Sequence, residues 1–295
     1  MSVMSHLRLG RPVRRAIGAN GQLPWPRWLK EMMRGSARQV AEAGITLWDQ
    51  ADLRAVRARA PRARHLPPAE FQAVAAELYG RLASVLSARP RRHAVRLWNF
   101  IPDIHRPCGD GMDRYMVFNV ARHAACRRWL GDGFEQCLPT ASGIGHDGED
   151  LVIDALAAAD PGEPVENPRQ IPAYRYSRRY GPRPPCFARA TVLPRHGLML
   201  IGGTASVVGQ DSEHPGDLAA QIHETLANLS ALSGDLRRLT DLRVFHPRAE
   251  DAGPIGRTIG AALGAGARIE LMRAELCRRE LLVEIEGVAR PPAHG

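Results

Sequence analysis

The sequence has no apolar run of the ~18–20 residues that a membrane-spanning helix needs. Its longest apolar stretch, residues 197–209, is interrupted by glycines and predicts a buried strand. The first residues include arginines but not the apolar segment of a secretory signal. We therefore expect no membrane partner, and the expected location is the cytoplasm.

Lysine is almost absent, since Lys30 is the only one and all the other 39 of the 40 basic residues are arginine. With 31 acidic residues, the formal net charge is +9. Such a charge is common in nucleic-acid-binding proteins, but here it is poorly clustered. The densest run, RAVRARAPRAR at residues 54–64, favours a solvated linker over a nucleic-acid contact. We expect no nucleic-acid partner, and the charge is suited to attracting small anions.

Motifs for metals, phosphates and nucleophiles are also missing. The five cysteines are widely spaced without a CxxC pair, which argues for free thiols rather than a zinc site or redox dithiol. His214 has no second ligand at metal-binding spacing and is interpreted as a turn residue. No phosphate-binding glycine motif and no GxSxG motif is present. We expect neither a metal nor a cofactor.

What the chain does have is ordinary globular composition, with 44% hydrophobic residues. Apolar residues at helical spacing predict helices, and alternating or continuous apolar runs predict strands. The predicted helices cover residues 67–87, 113–130, 215–232 and 253–263. The predicted strands cover 93–101, 173–176, 186–193, 198–208, 242–245, 268–276 and 281–288, with a strand or turn at 138–145 and a short strand and a loop within 147–168. Their order indicates an α+β fold with mixed sheets and helices packed on one face.

The last predicted strand, LLVEIEGVA, contains the most informative pair of residues. Glu284 and Glu286 stand two apart, so both point to one face of a strand. Two crowded carboxylates raise the pKa of at least one of them, and a carboxyl that stays protonated near neutral pH can act as a general acid. Spacing alone nevertheless favours a solvent-facing side of a half-exposed sheet.

Two other segments combine arginine with tyrosine. Residues 166–190 hold three tyrosines and six arginines, which suit bidentate binding of carboxylates. RNA stacking and a surface loop with cation–π contacts are the alternatives. In RYMVFNVAR, residues 114–122, Tyr115 and Arg122 share one helix face, and Tyr115 is favoured there as a core residue with its hydroxyl at the rim.

Several segments together resemble the chorismatase family. They are RLWNFIPDI, RYMVFNVAR, TASGIG, ENPRQIPAYRYSRRYGPR, FARA, GGTASVVGQDSEHPGD and CRRELLVEIEGVA, and they follow one another in family order between about residues 94 and 289. The resemblance implies RidA/YjgF-like modules and cofactor-free hydrolysis of chorismate with release of pyruvate. It divides the chain into a divergent segment 1–90, a partial first module 91–160 and a C-terminal module 161–295 that carries the catalytic glutamate.

Carried over residue by residue, the resemblance implies that Glu284 is the catalytic acid. The residues implied to hold the substrate carboxylates are Tyr115, Arg122, Tyr176 and Arg189. Cys277 and Ala190 fall at positions where subgroups with different ring products differ. Cys277 resembles the hydroxybenzoate-forming subgroups, which favours 3-hydroxybenzoate with some 4-hydroxybenzoate, whereas Ala190 resembles the subgroup that forms a dihydroxycyclohexadiene carboxylate. An apolar filler is the alternative role for Cys277.

Three positions depart from the family pattern, namely His105, where asparagine is expected, and Cys186 and Ala188, where serine is expected. We expect Cys277 to end a strand antiparallel to that of Glu284, which would bring its thiol near the carboxyl. Other classes of function stay open: a RidA-like imine or enamine deaminase, a protein that binds a small carboxylate, and an RNA-binding protein. The sequence favours neither a monomer nor an oligomer.

Overall fold

The computed structural model describes residues 14–15, 24–42, 44–88 and 92–292 of the 295-residue chain. That part of the chain forms five α-helices and fifteen strands. The helices are α1 (Arg27–Met32), α2 (Pro68–Ser87), α3 (Arg114–Leu130), α4 (Leu218–Ser233) and α5 (Ala252–Leu263). The strands are β1 (Arg14–Arg15), β2 (Ala37–Glu42), β3 (Ile45–Gln50), β4 (Leu53–Ala60), β5 (His93–Pro102), β6 (Thr140–His146), β7 (Leu151–Ala158), β8 (Glu163–Val165), β9 (Ala190–Leu193), β10 (Leu198–Ala205), β11 (Val207–Val208), β12 (Asp211–Ser212), β13 (Leu239–His246), β14 (Arg268–Arg273) and β15 (Glu284–Ala289).

Strands β2 to β7 form a six-stranded sheet in the order β2-β3-β4-β7-β5-β6. Its neighbours are antiparallel except for β5 and β6, which run parallel because α3 connects them. Helices α2 and α3 cover one face. Helix α2 has a proline in its first turn, and its helical spacing places Phe71, Leu78 and Leu82 in the core against the sheet.

Residues 54–60 of the arginine-rich run belong to strand β4 of this sheet, and a turn follows them, so the expected solvated linker is wrong. In β4, Val56 is buried among alanines, while the arginines are paired with carboxylates. Arg54 donates to Asp49 at 2.7 Å, and Arg57 donates to Asp154 at 2.7 and 2.6 Å. Asp154 lies 97 residues further along the chain. Local sequence therefore could not reveal that these charges are neutralised.

The second sheet has seven strands in the order β1-β14-β13-β15-β10-β9-β8. Strands β13 and β14 are parallel and joined by α5, whereas β15 is antiparallel to both of its neighbours, β13 and β10. Helices α4 and α5 pack on one face. The core on that side includes Leu226 and Leu229 of α4, Ile255 and Ile259 of α5, and Ile285 of β15.

The two sheets pack against each other through their remaining faces. Trp98 and Phe100 of β5 lie in one buried cluster with Leu200, Phe245 and Val288 of the second sheet. The layers therefore follow the order helices, sheet, sheet, helices. One face of β15 points into this inter-sheet layer rather than toward solvent.

The expected α+β fold with mixed sheets and helices on one face of each sheet is confirmed. The four predicted helices form as α2 to α5. The strand predicted at residues 173–176 is wrong, because Ala173–Arg175 form a 3-10 turn that follows Pro172, a residue without a backbone N–H. The strand predicted at 268–276 ends at Arg273.

The first sheet begins well before the expected module boundary at residue 91. Strands β2 to β4 and helix α2 complete the sheet that holds β5 to β7, although the sequence assigned residues 1–90 to a divergent segment. We propose instead that residues 37–158 form the first module and residues 163–289 the second.

Candidate active site

A cavity of about 290 Å³ lies between the loop from β5 to α3, the loop from β8 to β9, and strands β10 and β15. Both modules therefore contribute to its wall. Five of the seven site residues indicated by the sequence line it: Tyr115, Tyr176, Arg189, Cys277 and Glu284. Its other lining residues include His105, Asp113, Gln170, Phe187, Gly203, Arg278, Arg279 and Glu280.

Glu284 is the first residue of β15 and is only 3% exposed. Burial, together with the charge of Glu286, raises the pKa of Glu284 to about 8, against the opposing effect of Arg96 and Arg189. Its Oε1 atom has no hydrogen-bond partner among the described residues. A carboxyl that is protonated at neutral pH and borders the cavity can give its proton to a bound molecule.

Gly203 on β10 leaves the space that this carboxyl occupies. A Cβ atom at position 203 would lie 2.1 Å from Oε1 and 2.7 Å from Cδ of Glu284. The glycine is not in the left-handed region, so close approach rather than backbone conformation requires it.

Glu286 is held by three donors from the first module. Its carboxylate accepts hydrogen bonds from Arg96 Nη2 at 2.7 Å, from Trp98 Nε1 at 2.9 Å and from Ser142 Oγ. Because both of its oxygens are occupied as acceptors, Glu284 is the carboxyl left to act as an acid. The solvent-facing alternative for the two glutamates is wrong, since the first sheet covers that face of β15.

Cys277 lies next to the acid, but not through the expected strand pairing. Its Sγ atom is 4.0 Å from Glu284 Oε2. The expected pairing is wrong because β13 lies between β14 and β15, and Cys277 belongs to the loop after β14. Burial, and then the neighbouring Glu284, raises the pKa of Cys277 to about 12, so the thiol stays protonated.

Arg189 and Tyr176 form a cationic side of the cavity. Arg189 Nη2 donates to the Tyr176 hydroxyl at 2.7 Å. The guanidinium of Arg278 lies over the rings of Tyr176 and Tyr180, 5.4 and 3.9 Å from their centroids. With Arg279, three guanidinium groups border one cavity. Such a wall fits a ligand that carries more than one carboxylate.

Arg122 does not line the cavity, in contrast to Tyr115 on the same helix. Its guanidinium donates to the Cys186 carbonyl and lies 5.7 Å from the ring of Phe187, which does line it. Arg122 therefore supports the cavity wall indirectly, by packing against Phe187 without lining the cavity itself. Burial raises the pKa of the Tyr115 hydroxyl, so this group remains a neutral donor.

Ala190 is not part of the cavity wall either. It follows Arg189 along extended backbone, so the two side chains point to opposite faces of the sheet. Ala190 is fully buried with Ile201 and Ile222 in the core beneath α4. A direct contact between Ala190 and a ligand, as expected for a product-determining residue, is absent from this arrangement.

The polar residues of the wall that sequence reasoning missed as site residues include His105, Gln170, Arg278 and Arg279. The two consecutive arginines after Cys277 were a usable signal, since they directly precede the segment with the acid. His105 was noted only as a departure from the family pattern. Gln170 gave no local signal, because its Nε2 atom bonds to the carbonyl of Val207, 37 residues away.

Other site types find little support in the described ranges. They contain no group of three or more His, Cys, Asp or Glu side chains that could hold a metal ion, and no disulfide. His214 lies in a turn with a φ of 56°, in agreement with its interpretation as a turn residue. No helix in those ranges has the length and apolarity to cross a bilayer.

Comparison with known proteins connects this geometry to one family. The family model described as "Chorismatase FkbO/Hyg5-like, N-terminal" matches residues 32–157. A 3-hydroxybenzoate synthase from Streptomyces hygroscopicus is 38% identical over 219 residues, which cover 65% of this chain and 62% of that protein. A chorismatase from Streptomyces rapamycinicus is 35% identical over 213 residues, covering 66% and 63%. The chain thus spans less than two thirds of the length of these relatives.

A crystal structure of a chorismatase matches this fold with a TM-score of 0.76 and 28% sequence identity. The match covers 86% of this chain and 80% of the other, so both modules are included. The family match at residues 32–157 also agrees with a first sheet that begins before residue 91. By sequence and by fold, the chain is similar to chorismatases.

Proposed function

We propose that this protein converts chorismate to pyruvate and 3-hydroxybenzoate, with 4-hydroxybenzoate as a minor product. The observation that carries the proposal is the buried, protonated Glu284 on the wall of a cavity that three arginines also line. Chorismate is a dianion with an enol ether, so it needs cationic partners and a proton donor. The relative named 3-hydroxybenzoate synthase supports the choice of the aromatic product.

In this proposal the arginines bind and orient the substrate. Arg189, fixed by its bond to the Tyr176 hydroxyl, receives one carboxylate, and Arg278 and Arg279 receive the other. Tyr115 adds a neutral donor. Holding both carboxylates places the enolpyruvyl group against Glu284, so the entropy cost of orientation is met on binding. The net charge of +9 assists the approach of a dianion.

Glu284 then transfers its proton to the methylene carbon of the enolpyruvyl group. The ether becomes an oxocarbenium ion, and the newly formed Glu284 carboxylate stabilises that cation by its charge. Arg96, Trp98 and Ser142 hold the Glu286 carboxylate in place, and its negative charge helps to keep Glu284 protonated before the reaction.

The nucleophile that attacks the oxocarbenium ion decides the ring product. Attack by water and collapse of the adduct release pyruvate and a dihydroxycyclohexadiene carboxylate, with net addition of one water. In attack by the ring hydroxyl, its oxygen bonds to the cationic carbon and its bond to the ring then breaks, while the ring gives a C–H proton back to Glu284 and becomes aromatic. The resulting hemiketal collapses to pyruvate and the hydroxybenzoate, with no net addition of water. We assign the Cys277 thiol, 4.0 Å from Glu284 Oε2, to the aromatic route, because it fills space beside the acid that water would otherwise occupy.

The proposal involves no cofactor, nucleic acid or membrane, and it places the reaction in the cytoplasm. Incubation of the protein with chorismate tests it, with pyruvate measured enzymatically and ring products separated by chromatography. The matched control is Glu284→Gln, which keeps the shape of the side chain but has no acidic proton. We expect it to retain less than ~1% of the rate while still binding chorismate, since general acids contribute ~10²–10⁴-fold. Absence of pyruvate with the wild-type protein would refute the proposal.

A further inference from the structure

One polar group on the cavity wall has no part in the steps above. His105, in the loop between β5 and α3, lines the cavity and is 9% exposed. Both ring nitrogens are buried, and neither has a hydrogen-bond partner among the described residues. A polar group buried in this way destabilises the fold unless a ligand completes its hydrogen bonds. Its place on the wall makes it accessible to a molecule in the cavity.

Contacts of the backbone fix His105 in place. The turn that contains it is closed by a hydrogen bond from Arg106 N–H to the Asp103 carbonyl at 2.8 Å. From the second module, Arg279 Nη2 donates to the carbonyl oxygen of His105 at 2.6 Å. The backbone that carries the ring is therefore held by both modules, which reduces the ordering that ligand binding requires.

The charges around the ring favour one kind of ligand atom. Asp113 Oδ2 lies 3.8 Å from Nδ1 and Glu275 Oε2 lies 4.0 Å from Nε2, both beyond hydrogen-bond distance. The other oxygen of Asp113 accepts the Met116 N–H at the start of α3, which holds this carboxylate in place. Two negative charges disfavour a ligand carboxylate beside the ring. A hydroxyl suits the site, because a neutral imidazole has one donor and one acceptor and a hydroxyl can pair with either.

We propose that His105 binds the ring hydroxyl of the substrate and selects for rings that carry it. This inference rests on the proposed function, in which the arginines take both carboxylates of chorismate and leave the hydroxyl without a partner. His105 is thus a specificity residue in direct contact with the substrate.

The test compares His105→Phe, which keeps a planar ring without nitrogens, with His105→Asn, which keeps one donor and one acceptor. We expect His105→Phe to raise the KM for chorismate about tenfold or more, with a smaller change in kcat, because a hydrogen-bonding site loses its partner. We expect His105→Asn to recover most of that loss. His105→Ala, which also lacks the nitrogens but adds no bulk, replaces His105→Phe should the latter not fold.

An analogue of chorismate without the ring hydroxyl identifies the atom that is bound. As a competitive inhibitor it should show a Ki that agrees between the wild type and His105→Phe within about twofold, as expected when no interaction is left to lose. The matched control is His65→Asn, which changes an exposed imidazole 3.3 Å from Glu149 and outside the cavity wall, and it should leave KM unchanged.

Two results would overturn the assignment of His105. One is an unchanged KM in His105→Phe, and the other is an equal rise of KM and of the analogue's Ki, which would mean that the ring acts through packing. Failure of the proposed function has a different signature, since the wild-type protein would then release no pyruvate from chorismate, and the contact with the hydroxyl would be refuted with it.

Discussion

Gly203 lies so close to Glu284 that a single added carbon atom would collide with the acid. A Cβ at position 203 would be 2.1 Å from Oε1. Strands β10 and β15 are paired on both sides of this point, with Ile201 opposite Gly287 and Thr204 opposite Ile285. Since the backbone is held by these pairs, the carboxyl is the group that would have to move. The position of the acid therefore depends on the absence of a side chain on the neighbouring strand.

We expect Gly203→Ala to lower kcat about a hundredfold, because a shift of roughly 1 Å in a reacting group can cost that much. The rate of pyruvate release from chorismate measures it. The matched control is Gly260→Ala in α5, where a Cβ would meet nothing within 4 Å. This control should keep full activity and gain slightly in stability, because alanine favours a helix over glycine. Equal rates for Gly203→Ala and Gly260→Ala would contradict the expected collision between a Cβ at position 203 and the Glu284 carboxyl.

The raised pKa of Glu284 predicts a pH dependence of the reaction. In the proposed mechanism the protonated form is the active one, so kcat should be constant below about pH 8 and fall as the pH rises above it. On the basic side the slope should approach about tenfold per pH unit, as for the loss of a single proton. A pH profile of kcat under saturating chorismate tests this, and a rate that stays constant to well above pH 9 would exclude Glu284 as the acid.

The same group makes stability depend on pH with an unusual sign for a carboxyl. The pKa of Glu284 is about 8 in the folded protein and close to its ordinary value of 4.5 in the unfolded chain. Between these values the folded state binds the proton and the unfolded state does not, so the free energy of unfolding falls as the pH rises. Glu284→Gln removes this contribution. We expect denaturant titrations to show the variant gaining a few kcal/mol over the wild type between pH 5 and pH 8. If the difference in the free energy of unfolding between variant and wild type were the same at pH 5 and pH 8, this would be evidence against a raised pKa of Glu284.

Arg189 and Arg122 should differ in their effects, although the resemblance assigns both to the substrate carboxylates. Arg189→Ala removes a guanidinium of the cavity wall, and a lost buried charge partner costs about 2–5 kcal/mol, or about thirtyfold or more in KM. Arg122→Ala removes the donor to the Cys186 carbonyl behind Phe187, so we expect a loss of about 1–3 kcal/mol in stability and a smaller change in KM.

Steady-state kinetics and thermal unfolding of both variants separate these two roles. Arg178→Ala is the control, since this arginine is exposed in the same loop and does not line the cavity. A KM for Arg122→Ala as high as that for Arg189→Ala, in a variant of normal stability, would assign Arg122 to the substrate after all.

Cys277→Ala should change the products more than the total rate. Removing the thiol opens space beside Glu284 Oε2, where water can then compete with the ring hydroxyl. We expect the ratio of aromatic products to the diol to fall, with pyruvate release still substantial. Cys108→Ala, which changes a half-buried thiol outside the cavity wall, should leave the ratio unchanged. An identical product mixture for wild type and Cys277→Ala would show that the thiol is only a filler, and a wild type that forms the diol alone would refute the choice of product.

Local periodicity was enough to predict helices α2 to α5 on both sheets and most strands of the second sheet. In α4 the apolar residues Ile222, Leu226 and Leu229 are spaced to face one side, and they do form part of the core. Strand β4 was missed because its arginines look solvated until Asp154, on a strand 97 residues away, is brought beside Arg57. The periodicity of a segment contains no information on such partners.

In the candidate site, too, the sequence predicted local features but not the contacts between distant segments. The spacing of Glu284 and Glu286 predicted a shared face, but only the packing of a second sheet shows that this face is buried. The proximity of Cys277 to Glu284 was expected for the wrong reason, since a loop rather than a neighbouring strand brings the thiol there. The resemblance implies that Ala190 lies at a position where subgroups with different products differ, whereas alternation along extended backbone sends its side chain away from that of Arg189.

The bonds to Glu286 also limit how the two modules can be exchanged between related proteins. The acid is on one module, but the groups that hold its charged neighbour, Arg96, Trp98 and Ser142, are all on the other. A hybrid that joined this second module to a first module without those donors would bury a carboxylate that has lost its three hydrogen bonds, and the proton affinity of Glu284 would shift with it. Modules exchanged between relatives should therefore be chosen so that Glu286 keeps all three of these donors.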